Sequence, residues 1–200
     1  MFSIRLRTRL TNLALAFGVI VFIWFLQTNL LTRLTLGGLL CNLPLTFTIV
    51  WASIFGSRMP RLTVDDLRNL SMSEIVSYQA LSGSLSGALV GALFAALYAS
   101  VTPIYPFSYP LIGWIAGYFS LKRVNHAQFL IVPLVLCASV LSGSFMAFQL
   151  SLTGRPEVMA RFIQAVLPES LMNALIAPWI FLPMQRWDEF LSTKEVAGVQ

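Results

Sequence analysis

Residues 79–101 read QALSGSLSGALVGALFAALYASV, twenty-three residues without one charged side chain. Wound as an α-helix at about 1.5 Å per residue, that stretch reaches about 34 Å. The hydrocarbon core of a bilayer is about 30 Å thick, so the stretch is long enough to cross it. Gly83, Gly87, Gly91 and Ala95 recur every four residues, with Ser84, Ala88, Ala92 and Ala96 beside them. Four-residue spacing puts the glycines on one helix face, where missing side chains let another backbone come close. Two readings of that stripe stand: packing inside the protein's own bundle, or docking of a partner's transmembrane helix.

The same pattern repeats outward in both directions. Charges are confined to short breaks at Arg33, Arg58 to Glu74, Lys122 and Arg123, and Arg155 to Arg161. Between the breaks, apolar runs predict spans over 10–31, 34–56, 79–101, 105–121, 127–150 and 165–185. The runs are continuous rather than alternating, which excludes a transmembrane barrel. Only 10% of the 200 residues are charged and 57% are hydrophobic, leaving no room for a separate soluble domain. The expected architecture is all-α: one polytopic membrane bundle of six transmembrane helices over 1–200, with a loop at 57–78 and a tail at 187–200.

Basic residues set the orientation. With the N-terminus inside, Arg5, Arg7, Arg9, Arg58, Arg61, Arg68, Lys122, Arg123, Arg186 and Lys194 are cytoplasmic. Only Arg33, Arg155 and Arg161 fall outside, so both termini are expected in the cytoplasm. The net charge of +5 therefore reports orientation and contact with anionic lipid, not nucleic-acid binding. The run 13–26 after Arg9 lacks a small-x-small cleavage pattern and reads as an uncleaved first helix. In the loop, Thr63 with Asp66 resembles a helix N-cap, predicting a short interfacial helix before the third span.

Polar side chains within spans are the candidates for function. They are Asn42, Gln149, Glu169 and Asn173. An interhelical hydrogen bond is the plain role for Asn173, and Glu169 follows Pro168 nearer the outer end. A proton or ion pathway would align several carboxylates or histidines through the spans, and this sequence shows no such line. Cys41 and Cys137 read as small packing residues, and His126 as a solvated loop side chain. No catalytic set, zinc spacing or phosphate loop is legible, so neither an enzyme, a metal nor a cofactor is expected.

The segment from Arg155 to Arg186 is the most distinctive. It gives Arg155-Pro156-Glu157-Val158 in an outer loop, then Asn173, then Pro178-Trp179-Ile180-Phe181-Leu182 before Arg186. Pro178 removes a backbone donor and is expected to kink its helix. "RPEV", a polar Asn and "PWIFL" before a basic end resemble the C-terminal hairpin of the MreD family, rod shape-determining membrane proteins of bacteria. The resemblance runs loosely over the whole chain and is most specific from Arg155 onward. The acidic residue expected after the glycine-rich stretch is missing from Gly91 to Ala96, marking a divergent member.

The resemblance implies a non-catalytic scaffold of the cell-elongation machinery in the inner membrane. Its implied partners are an MreC-like protein, a RodA-like glycosyltransferase, a class B penicillin-binding protein and MreB filaments. The implied partner surfaces are Arg155, Pro156 and Glu157; the face around Asn173, Pro178 and Trp179; and Gly83, Gly87 and Gly91. The alternative is the substrate-binding S component of an energy-coupling vitamin importer, a similar six-helix fold with an outer-face pocket. Tyr105, Tyr109 and Trp114 could contribute to such a pocket.

Overall fold

A computed structural model describes residues 16–31, 41–55, 85–99, 107–119, 121, 127–152 and 157–197; in the last segment side chains are described for 164–190. The expected interfacial helix in 57–78, and Gly83, Tyr105, His126, Arg155 and Pro156, lie outside the described residues, as does the Glu157 side chain.

The described residues form six helices and no strand. Helix α1 covers residues 16–31, its end wound as π-helix over Gln27–Leu31. Then come α2 (Leu43–Phe55), α3 (Leu85–Ala99), α4 (Ser108–Ala116), α5 (Ala127–Leu152) and α6 (Glu157–Ala197). Among the described residues, two stretches are long and apolar enough to cross a membrane: Ala127–Leu152, and Gln164–Phe190 within α6. The apolar helices Ala16–Asn29, Leu43–Phe55 and Leu85–Tyr98 are shorter.

The bundle is organised around α2, which packs on α3, α4, α5 and α6. Its sequence, LPLTFTIVWASIF, is apolar on every side, as a helix enclosed by neighbours must be. The hydroxyls it buries are satisfied along their own helix. Thr46 Oγ1 donates to Asn42 O at 2.9 Å, Thr48 Oγ1 to Pro44 O at 2.8 Å and Ser53 Oγ to Val50 O at 2.8 Å. These back-bonds let Thr46, Thr48 and Ser53 sit at the centre with their hydroxyls satisfied.

The glycine stripe of α3 lies against α4. A Cβ built on Gly91 would fall 2.6 Å from the Tyr109 carbonyl carbon. One built on Gly113 of α4 would fall 2.7 Å from the Gly87 carbonyl carbon and 2.9 Å from Thr48 Cγ2. The two backbones are thus in direct contact, and Gly87 and Gly91 face this protein's own fourth helix. Gly143 plays a similar part between α5 and α6, where a Cβ would meet the Val166 side chain.

Two elements differ from the spans read in the sequence. The apolar run 105–121 holds only the nine-residue α4, about 14 Å long. Past Ala116 the chain turns, and Leu121 N donates to Ser53 O of α2 at 3.1 Å. That tertiary bond captures an amide that a longer helix would have used itself. Conversely, α6 runs for 41 residues through Pro168, Pro178 and Pro183. Hydropathy locates the apolar part of a helix, not its polar continuation on either side. Each proline leaves the carbonyl one turn before it without its helix partner.

Substitution tests the backbone contact. Gly113→Ala should destabilise the purified protein by about 1–3 kcal/mol through overpacking. Gly18→Ala, where a Cβ meets nothing within 4 Å, should leave stability unchanged or slightly raised. Thermal unfolding of both variants in detergent is the check.

Candidate functional site: a cavity at one end of the bundle

The start of α2 is enclosed by other helices, and this creates a problem. The first amides of any helix have no intrahelical partner, and away from water each must find one. Here every one is accounted for. Asn42 N donates to Asn173 Oδ1 of α6 at 2.7 Å, and Leu43 N to Gln27 Oε1 of α1 at 3.0 Å. Pro44 has no amide hydrogen to place. Leu45 N donates to Asn42 Oδ1 at 3.1 Å, an N-cap bond, and Thr46 N to Asn42 O at 3.0 Å.

The same groups reach the remaining walls. Asn173, only 1% exposed, also accepts from Cys41 Sγ at 3.3 Å, and its Nδ2 donates to Ser139 Oγ of α5 at 3.3 Å. The Tyr109 hydroxyl of α4 lies against the Asn42 carboxamide, 2.7 Å from Nδ2 and 2.9 Å from Oδ1. Ser108 and Ser142 join α4 to α5 through a 2.8 Å hydroxyl pair. Side chains of α1, α2, α4, α5 and α6 therefore meet in one region.

They line a cavity of about 390 Å³. Its polar wall includes Gln27, Asn42, Tyr98, Ser108, Tyr109, Ser139, Ser142, Glu169, Ser170 and Asn173. Met146, Leu150, Ala165 and Val166 supply an apolar side between α5 and α6. The volume lies within the range of small-molecule sites, which combine apolar walls with a few placed polar groups. Glu169 is the one ionisable acid on the wall, its carboxyl facing the Asn42 amide, and no Lys or Arg lines the cavity among the described residues. Among those residues no three His, Cys, Asp or Glu side chains converge as metal ligands would.

Of the residues singled out in the sequence, Asn42, Asn173 and Glu169 meet at this cavity, and Tyr109 joins them. Gln149 is half-buried on α5 and does not line it. Trp114 packs instead edge-on against Tyr118, 5.1 Å between ring centroids. Trp179 lies elsewhere on α6, 80% exposed, with the half-buried Pro178 beside it. Cys41 is buried and lines the cavity, whereas Cys137 is exposed, and both are free thiols. Gln27, Ser108, Ser139 and Ser142 were not anticipated. Single polar residues in apolar runs carry no spacing that signals convergence.

Compared with protein-family models, with curated proteins and with solved structures, the chain matches none.

Asn173→Ala removes the acceptor for Asn42 N and the donor to Ser139 together. Interhelical bonds of this kind are worth up to about 2 kcal/mol each way. We expect the variant to lose about 1–3 kcal/mol, since it also strands the half-buried Asn42 amide. Gln149→Ala should stay within about 0.5 kcal/mol of the parent. Unfolding in mixed micelles gives both numbers.

Proposed function

We propose that the chain is a six-span inner-membrane protein of MreD type, a non-catalytic scaffold for wall-synthesis partners. The observation that carries the reading is the outward row on α6. Leu171, Leu175, Trp179 and Leu182 are all exposed, with Trp179 at 80%. Their spacing places them together on the side away from the buried Asn173, Ala174, Ala177 and Phe181. Trp179 sits well inside the apolar stretch Gln164–Phe190, not at the membrane interface where tryptophans usually anchor. An indole N–H in hydrocarbon has no water to bond, and a neighbouring helix can supply the acceptor. This tryptophan also belongs to the "PWIFL" segment that resembles the family.

The implied partners are an MreC-like protein, a RodA-like glycosyltransferase, a class B penicillin-binding protein and MreB filaments. Six spans with both termini inside follow from the apolar runs and the ten-to-three division of basic residues. In that orientation the cavity opens in the outer half of the membrane. Asn173 acts from within, holding α6 to α2 and α5 so that its outward row is presented rigidly.

A second reading is favoured by the cavity itself. A pocket of this size in the outer half, with Tyr109 on its wall, fits the S component of an energy-coupling importer.

Affinity purification in mild detergent with mass spectrometry separates the two. The scaffold reading expects wall-synthesis partners to be recovered, and Trp179→Ala to cut that recovery several-fold while thermal stability is unchanged. Equal recovery with Trp179→Ala would remove α6 as the docking face. Recovery of an energy-coupling ATPase module instead would establish the second reading.

A further inference from the structure

The hydrogen bonds on the cavity wall are mostly spent on one another. Asn173 serves Asn42, Cys41 and Ser139, the Asn42 carboxamide serves Leu45 and Tyr109, and Ser108 pairs with Ser142. Glu169 takes no part in these bonds. An ionised carboxylate is acceptor-only, with about four lone-pair positions. The Asn42 side chain is set against it, and no cationic side chain lines the cavity among the described residues. A carboxylate within a span is costly unless a partner compensates it, and such a residue marks a site whose partner is to be named. The described part of the wall thus suits donors and positive charge better than an anion. Beside it, Met146, Leu150 and Val166 offer apolar surface.

We propose that this cavity binds the amine group of a ligand with an apolar body, with Glu169 as the counter-ion. The ammonium donates to the Glu169 carboxylate, and the apolar part lies along the α5–α6 side of the wall. Two sources share that chemistry: an aminophospholipid headgroup entering between α5 and α6, or a free organic amine arriving from the outer side. The proposal goes beyond both readings above and needs the partners of neither.

The test uses the isolated full-length chain, so its failure is separate from any failure of co-purification. In detergent, 2-phenylethylamine and its carboxylate counterpart 3-phenylpropionate are titrated calorimetrically. The amine should bind at least about tenfold more tightly than the carboxylate, and Glu169→Gln should weaken it by a similar factor. In a second arm the protein is placed in nanodiscs of dioleoyl-phosphatidylglycerol with or without dioleoyl-phosphatidylethanolamine, and the lipid retained is read by native mass spectrometry. Selective retention of the ethanolamine lipid, lost in Glu169→Gln, identifies the lipid source. Amine binding without such retention identifies a free solute. Carboxylate binding equal to amine binding overturns the proposal, a comparison that needs no variant. So does parent-like amine affinity in a folded Glu169→Gln protein, or binding of neither the amine nor the lipid.

Discussion

The structure depends on the buried amino-terminal end of α2. A helix end inside a bundle leaves amides that solvent cannot serve, and every such amide must be met by the protein. This chain meets them from three directions: Gln27 from α1, Asn42 as its own cap, and Asn173 from α6. Each partner is at the right place only if its helix is docked. The capping bonds therefore fix the positions of α1 and α6 against α2, and through Ser139 the position of α5. Pro44 fits the same logic, because it removes one donor from the turn where donors are hardest to satisfy.

Seen from α2, the two ends of the bundle are built differently. From its second turn to its carboxyl end, Phe47, Trp51 and Phe55 pack with Phe94 and Trp187 at ring-centroid distances of 4.4 to 6.1 Å. Tilted and edge-on rings fill that end with large apolar volume. At the other end, carboxamides and hydroxyls hold the helices apart at hydrogen-bonding distance, and the space between them becomes the cavity. The close α3–α4 contact through Gly87, Gly91 and Gly113 sits between these regimes and brings Tyr109 to the polar end.

The sequence made the helices legible because charge and hydropathy act over long windows. It also flagged Asn42, Asn173 and Glu169, since a polar group in an apolar run needs a reason to be there. The glycine spacing in residues 79–101 indicated a close helix contact, and the structure shows α4 on that face. Other features were beyond such reading. Nothing local says that the run 105–121 yields a nine-residue helix, because its end is set by a bond from Leu121 to Ser53, far away in sequence. The pairing of Ser108 with Ser142 is equally invisible: serines are common in transmembrane helices and usually bond back to their own backbone, as Ser144 does to Val140.

Helix α6 joins the two functional ideas physically. One side carries Ser170, Asn173, Ala174 and Ala177 into the bundle, and the other carries Leu171, Leu175 and Trp179 out of it. A partner seated on the outward side and a ligand in the cavity would press on the same rigid segment from opposite faces. Any axial shift or rotation of α6 that suited the partner would move Glu169 relative to Asn42 and Tyr109. Linkage then requires the converse: a ligand that prefers one position of α6 biases the outward row by the same free energy. The network around Asn173 decides how large that coupling can be. Its bonds to Asn42 and Ser139 hold α6 in one register, and a helix with a single register transmits little. Coupling therefore grows only where those bonds have an alternative arrangement.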